Sequence, residues 1–134
     1  MTAPAHRLRH SDDFRLTSRT GTRAARSHVV VHVAVPDPHT SGPRQQDEPR
    51  VGFVVSKKVG NSVIRHRVTR RLREIMRPRM HLLPPRSTCV VRALPGIQSV
   101  QFQDLAAQTE SAVAAAVTKL QRRTDGAQRT RRPA

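Results

Sequence analysis

The residues best suited to chemistry lie in one cationic segment, between residues 57 and 79. Its cations are Lys57, Lys58, Arg65, Arg67, Arg70, Arg71, Arg73, Arg77 and Arg79. The segment contains a single acid, Glu74, so ion pairs along a helix can neutralise few of these nine side chains. An ordinary solvated helix mixes both signs. The segment is therefore suited to bind an anionic partner.

The charge of the whole chain indicates a polyanion as that partner. Lysine and arginine number 25 against 9 acids, which gives 25 − 9 = +16 in 134 residues. Such an excess favours nucleic acid. Solvated basic tails without a defined site would place the charge at the two ends, yet much of it lies in mid-chain. We therefore expect a nucleic-acid-binding protein.

Side chains that could cut a phosphodiester by themselves are not expected. Asp12 and Asp13 suit the start of a helix, where the helix dipole favours acids. The remaining carboxylates are scattered singly, whereas a two-metal nuclease needs clustered ligands. His28 and His32 would lie roughly 13 Å apart along a strand, too far to share a metal ion. The sequence therefore predicts no catalytic residue and no metal site of its own.

The single cysteine, Cys89, limits the chemistry further. It excludes an intramolecular disulfide and a four-cysteine zinc site, and we expect it to be buried as a small apolar side chain. No apolar run approaches the roughly 20 residues that cross a bilayer, and the N-terminal residues lack the apolar core of a signal peptide. We expect a cytoplasmic protein.

Alternating helix and strand patterns predict one small α+β domain over residues 1–121. The expected strands are at 28–35, 50–57 and 88–94. The first expected helix starts at Ser11 and ends by Gly21, and the last runs from Phe102 to about Gln121. Between them, Asn61 should cap a central helix that ends at Pro78 or at Pro84 and Pro85. The strand at 28–35 should have one apolar face and one mixed face. We expect a loosely ordered arm at 1–10, a mobile connection at 36–49 and a disordered basic tail at 122–134.

The central helix divides into two arcs at about 100° per residue. The apolar arc contains Ile64, Val68, Leu72, Ile75 and Met76, and the opposite arc contains His66, Arg67, Arg70, Arg73 and Arg77. Arg65 falls at the edge of the apolar arc, where burying an unpaired guanidinium is costly unless the first turn projects beyond the sheet. Arg65, His66 and Arg67 would then stand beside Lys57, Lys58 and the positive end of the helix dipole, as one anion site.

The same segment resembles a known family. The run VSKKVGNSVIRHRVTRRLR, residues 55–73, is similar to the strand-to-helix signature of the bacterial ribonuclease P protein subunit, in which Arg-Asn-Arg or Arg-His-Arg occupies the first turns of the helix. The spacing, the capping Asn61 and the flanking lysines all coincide. The Asp12-Asp13-Phe14 start, the order of elements and the length also agree, so the resemblance covers about residues 6–121.

The resemblance implies a protein that assists a large catalytic RNA in removing the 5′ leader from precursor tRNA. In this ribonucleoprotein endonuclease, the RNA and its bound magnesium ions perform the hydrolysis. The family fold includes a left-handed β-α-β crossover, which the general handedness rule would not have predicted. By resemblance, the residues that bind the catalytic RNA are Lys57, Lys58, Asn61, Arg65, His66 and Arg67.

In the family, a cleft beside the sheet binds the single-stranded leader. The corresponding positions here are Phe14, Ser18, His32, Thr69, Arg70 and Arg73, and we assign Phe14, His32, Arg70 and Arg73 to the leader. Ser18 stands in place of an aromatic residue, His32 in place of a tyrosine and Thr69 in place of a lysine, so base stacking should be weaker or differently arranged. We expect Phe14 to lie beside the arginine face of the central helix. It could equally be a core anchor, as Phe53 and Phe102 should be.

Two other classes of protein stay open at this point. A ribosomal or RNA-chaperone protein would share the charge and the tails but would not support catalytic turnover. A duplex-DNA binder would place the arginine helix in a major groove, but this helix has no Asn or Gln after Asn61 to read bases, and no dimer seam is evident.

Overall fold

The computed structural model describes residues 11–35 and 48–131, with side chains for 14–35 and 48–123. Within these ranges the helices are α1 (Ser11–Thr20), α2 (Ser62–Met76) and α3 (Phe102–Arg131), and the strands are β1 (Thr22–Ala25), β2 (Val29–Ala34), β3 (Arg50–Val54) and β4 (Thr88–Ala93). Short 3₁₀ helices follow α2 at Arg77–Leu82 and β4 at Ile97–Ser99. The expected arm at 1–10, most of the connection at 36–49 and the last three residues lie outside the described residues.

The four strands form one mixed sheet in the order β1-β2-β4-β3. β2 pairs antiparallel with β1 and with β4, whereas β3 and β4 are parallel neighbours. A parallel pair needs a crossover connection, and α2 lies within it. The predicted α+β class is thereby confirmed. The left hand of the crossover stays an expectation from the resemblance.

One face of the sheet holds the main core. Val31 of β2 pairs with Val91 of β4, and Phe53 of β3 lies opposite Val91 on its other side. Leu72 from α2 and Leu105 from α3 join this cluster, and both are fully buried. α2 and α3 therefore cover the same face of the sheet.

The opposite face is covered in part by α1. The hydroxyl of Thr88 donates to the Ala34 carbonyl oxygen at 3.3 Å, so the Thr17 hydroxyl, 2.7 Å from Thr88 Oγ1, donates to Thr88. A side chain at Gly21 would come within 2.5 Å of the Thr17 carbonyl oxygen, so only glycine permits the tight passage from α1 into β1. Because helices cover both faces, all six residues of β2 are buried. Burial thus extends to the face that the sequence predicted as mixed.

α2 follows the predicted pattern closely. Its buried residues are Val68, Leu72, Ile75 and Met76, all of them from the predicted apolar arc. Ile64 packs at the edge of the core. Of the two expected ends, the one near Pro78 is correct, because α2 ends at Met76 and the chain continues as a 3₁₀ helix with proline near its start. Proline is tolerated there because the first N–H groups of a helix have no partner within it.

The structure differs from the expectation in β1 and in the end of α3. β1 was not predicted, because a four-residue strand of Thr, Arg and Ala has little of the β-branched and aromatic content that favours strands. α3 continues to Arg131, whereas we expected it to end near Gln121 with a disordered tail from Arg122. For 122–131 the tail prediction is wrong. These residues are mostly good helix formers, and Arg123 Nη1 donates to the Thr20 carbonyl oxygen at 2.7 Å.

The three phenylalanines have different surroundings. Phe53 packs against the core as predicted, and Phe14 is half-buried. Phe102 was also expected in the core, but 45% of its surface is exposed, so this prediction is wrong. The physical reason is its position as the first residue of α3, since Leu105, one turn later, takes the first fully buried position of that helix.

Candidate nucleic-acid interface

A turn that is anchored in the core presents the lysine pair. After β3 ends, Lys57 and Lys58 are exposed, whereas the next residue, Val59, is only 3% exposed. The Val59 amide donates to the Ser56 carbonyl oxygen at 3.1 Å and closes the turn. Burial of Val59 therefore holds both lysines at the surface beside the start of α2.

Asn61 caps α2 as the sequence predicted. Its side-chain Oδ1 accepts a hydrogen bond from the Ile64 amide at 2.9 Å, and its carbonyl oxygen accepts one from the Arg65 amide at 2.9 Å. The first turn contains no acid, although the helix dipole favours acids there. The positive end of α2 is therefore not neutralised locally, and together with Lys57 and Lys58 it forms an arrangement suited to bind phosphate.

Arg65, His66 and Arg67 extend this arrangement along the first turn. His66 and Arg67 are exposed, and Arg65 is half-buried. Within the described residues the Arg65 Nε is buried without a hydrogen-bond partner, which agrees with its place at the edge of the apolar arc. Its stem packs at the border of the core, as arginine stems commonly do. The predicted exposure of the first turn is thus correct for His66 and Arg67 and partial for Arg65.

The middle of α2 carries the remaining cations of the predicted site. Arg70 is exposed, and Thr69 and Arg73 are half-buried. The Thr69 hydroxyl donates to the Arg65 carbonyl oxygen at 2.9 Å, so its proton is already used within the helix. Glu74, the acid of this segment, lies 3.5 Å from Arg77, and neither Arg70 nor Arg73 forms an ion pair among the described residues.

A second cationic surface lies on the face of the sheet that α1 covers. His32 of β2 pairs with Arg23 of β1 and with Val90 of β4, and Arg92 follows two residues later on the same face. Arg23 and Arg92 are exposed, whereas His32 is 8% exposed and its Nδ1 is buried without a hydrogen-bond partner in the described part of the chain. Burial, and then the charges of Arg92 and Arg23, lower the pKa of His32. A neutral imidazole therefore lies between two permanent cations.

α1 brings Phe14 to this same face of the sheet. Phe14, Thr17 and Ser18 share one side of α1, since residues three and four apart are neighbours on a helix. Thr17 contacts β4 through Thr88, and Phe14 and Ser18 are half-buried. The structure therefore places two of the predicted leader-binding residues, Phe14 and His32, on one face.

The other two predicted leader-binding residues are on a different part of the molecule. Arg70 and Arg73 belong to α2, which packs into the core on the opposite face of the sheet, and Arg70 lines a groove beside the start of α3. The expectation that Phe14 lies beside the arginine face of α2 is therefore wrong, because α1 and α2 cover opposite faces. The leader contacts themselves stay predictions.

Arg23 and Arg92 were missed as candidate residues. Period-two alternation in β4 already put Arg92 on the same face as Val90, but the sequence did not show which strand lies beside it. Arg23 belongs to β1, the strand that was not predicted. The weak signal that could have found Arg92 is a single cation inside an apolar strand, since such a residue needs an open face.

The described residues contain no group of three His, Cys, Asp or Glu side chains that could hold a metal ion. Cys89 is fully buried, as predicted, and burial raises the pKa of its thiol to about 12. It is therefore protonated at neutral pH and unsuited to act as a nucleophile. In the described part of the chain, none of the helices is long and apolar enough to cross a membrane.

A mixed sheet with two unneutralised cationic surfaces defines a nucleic-acid-binding protein of the α+β class. Comparison with known proteins is more specific, because the model of the Ribonuclease P family matches residues 3–117. The ribonuclease P protein component of Streptomyces avermitilis is 46% identical over 110 residues, which cover 81% of this chain and 89% of that protein. The ribonuclease P protein component of Salinispora tropica is 45% identical over 127 residues, which cover 87% of this chain and 93% of that protein.

Solved structures share the fold. The RNase P protein of Staphylococcus aureus superposes with a TM-score of 0.69 at 22% identity over 83% of this chain and 94% of that one. The RNase P protein of Thermotoga maritima superposes with a TM-score of 0.66 at 24% identity, over 81% of this chain and 96% of that one. The chain therefore belongs to the ribonuclease P protein family, and the predicted role as the protein subunit of this ribonuclease in tRNA processing is confirmed.

Proposed function

We propose that the start of α2 binds the catalytic RNA subunit of ribonuclease P. The observation that supports this most directly is the unneutralised charge. The first turn has no acid, and the ion pairs Arg77–Glu74 and Arg79–Glu110 of the described residues do not involve Lys57, Lys58, Arg65 or Arg67. Arginine binds phosphate in a two-pronged way, and each such contact adds affinity by releasing counterions. His66 and Asn61 complete the proposed contact surface.

A second part of the proposal assigns the His32 face to the single-stranded leader of precursor tRNA. Arg23 and Arg92 can bind backbone phosphates on either side of His32. His32 itself is largely buried between these two cations, and the half-buried ring of Phe14 offers a stacking surface on the same side of the sheet. Proteins that bind single-stranded RNA commonly combine cations with an aromatic stacking surface in this way.

The positions of Arg70 and Arg73 change how the leader site is proposed. A leader that contacts both Phe14 and Arg70 must pass around an edge of the sheet, because the two residues lie on opposite faces. We retain Arg70 and Arg73 as proposed RNA contacts. Binding assays on substrates with and without a leader decide which RNA they contact, since a leader contact weakens only the substrate that carries one.

We propose that the RNA partner mainly holds the magnesium ions, because the described residues of this chain include no group of three His, Cys, Asp or Glu side chains that could hold a metal ion. The side chains of this chain bind and orient RNA, and none is proposed as catalytic. Because both proposed partners are RNAs of tRNA processing, we also propose a cytoplasmic location.

Reconstitution tests the proposed function. The purified chain is combined with the RNA subunit and precursor tRNA at low magnesium, and release of the 5′ leader is measured. We expect cleavage to require the RNA subunit and magnesium, and the chain to raise the cleavage rate because it neutralises phosphates that magnesium would otherwise screen. Cleavage by the chain alone would contradict the assignment of catalysis to RNA. An active RNA that the chain neither binds nor accelerates would contradict the proposed function.

A further inference from the structure

The exposed side of α2 and the start of α3 enclose a groove with an unexplained aromatic residue. The groove has a volume of about 490 Å³, within the roughly 300 to 1,000 Å³ of small-ligand sites. Phe102 forms part of its lining and is 45% exposed, and Val63, also in the lining, is 66% exposed. Covering such apolar surface is favourable, and a phenyl ring favours stacking on a flat partner. The groove therefore offers an apolar platform.

The rest of the groove is mainly cationic. His66, Arg67 and Arg70 are exposed in its lining. Arg71 is half-buried, and its Nη1 donates to the Val100 carbonyl oxygen at 3.3 Å, which fixes its guanidinium at the base of α3. The acid in the lining, Glu74, is paired with Arg77 at 3.5 Å. An occupant must therefore combine a flat apolar group with negative charge.

We infer that this groove binds an unpaired nucleotide of the RNA subunit, with its base stacked on Phe102 and its phosphate bound by Arg67 and Arg70. Base stacking beside cations is how proteins commonly hold unpaired nucleotides. His66 and Arg67 also belong to the proposed RNA-binding start of α2, so the groove continues that surface. The inference rests on the proposed binding of the RNA subunit and adds to it a stacking contact. An acidic peptide would match the charge but would not require an aromatic platform.

Affinity measurements on two Phe102 variants test the stacking contact. In the full-length chain, Phe102→Ala should weaken binding to the RNA subunit by about five- to a hundredfold at fixed salt, whereas Phe102→Trp should bind like the unchanged protein. Leu16→Ala is the matched control, because Leu16 is an exposed apolar residue of α1 at 41% exposure and should have no effect. The salt dependence should be unchanged in Phe102→Ala, because a stacked base releases no counterion. In Arg70→Ala, by contrast, the log-log slope should fall by about 0.7 to 0.9.

Zero-length ultraviolet cross-linking of the complex, read by mass spectrometry, tests the location directly. We expect an RNA cross-link on the peptide that contains Phe102. Unchanged affinity in Phe102→Ala would overturn the inference, as would Phe102→Trp binding no better than Phe102→Ala. If the melting temperature of Phe102→Ala also falls, its loss of affinity could come from unfolding. The affinity of Phe102→Trp and the position of the cross-link then decide whether Phe102 stacks on RNA. If the RNA subunit binds normally but no cross-link falls on α3, the inferred nucleotide site in the groove is wrong and the proposed function stands. If the unchanged chain does not bind the RNA subunit at all, the proposed function is wrong as well.

Discussion

Replacing Arg65 and Arg67 together by alanine should weaken binding to the RNA subunit and flatten its dependence on salt. Each phosphate contact that is lost removes about 0.7 to 0.9 from the slope of log affinity against log salt, so the double variant should lose about 1.4 to 1.8. Over a fourfold rise in salt, the affinity of the unchanged chain should therefore fall roughly 7- to 12-fold more than that of the variant.

The structure distinguishes the two arginines. Arg67 is exposed, so Arg67→Ala should reduce the slope without changing the melting temperature. Arg65 is half-buried and its Nε is buried, so Arg65→Ala also removes packing of the stem and should lower the melting temperature. Arg65→Lys keeps a charge and most of the stem and should preserve most of the slope.

The assay is a titration of labelled RNA subunit at several monovalent salt concentrations and constant magnesium. The double variant Arg15→Ala, Arg19→Ala is the matched control, because both residues are exposed on α1, away from the start of α2. Its slope should match that of the unchanged chain. A loss of affinity in the Arg65 and Arg67 variant with an unchanged slope would refute the reasoning and show that the pair acts through folding. An equal change in the control would show that only total charge matters.

Three further predictions concern Phe14, His32 and Leu72. Phe14→Ala should weaken holoenzyme binding to precursor tRNA by about five- to a hundredfold and leave mature tRNA unchanged; parallel losses with a lower melting temperature would instead make Phe14 a core anchor. Because the fold lowers the pKa of His32 below 6.5, the unfolded chain binds that proton more readily, and the free energy of unfolding falls as pH drops below about 6.5. His32→Gln should reduce this fall in urea titrations between pH 7.5 and pH 5, and identical pH profiles would contradict it. Leu72→Ala should lower the free energy of unfolding by about 2 to 5 kcal/mol, because Leu72 is fully buried in the core; a loss well below 1 kcal/mol would show that the site collapses around the cavity.

The sequence by itself determined the features that depend on local spacing. The arc of Val68, Leu72 and Ile75 becomes the buried side of α2, because the helical period alone decides which side chains share a face. Asn61 caps this helix through a contact three residues away. The cationic start of α2 was predictable for the same reason, since Lys57 to Arg67 are neighbours in the chain.

Other features could not be predicted, because they depend on which distant segments become neighbours. β1 forms through its pairing with β2, and that pairing places Arg23 next to His32. Phe102 was assigned to the core because it is large and apolar, but its exposure is decided by where α3 first meets the sheet. A single aromatic residue carries no periodic signal that would reveal this.

The division of the candidate RNA contacts between two faces was decided by tertiary structure alone. Phe14 and Arg70 lie on different helices, and nothing local states which face of the sheet each helix covers. That choice is made by contacts such as the one between Thr17 and Thr88, which are 71 positions apart in the chain. Helical and strand periods report only on neighbours within one element, whereas the strand order and the packing of α1 and α2 follow from the burial of whole faces at once.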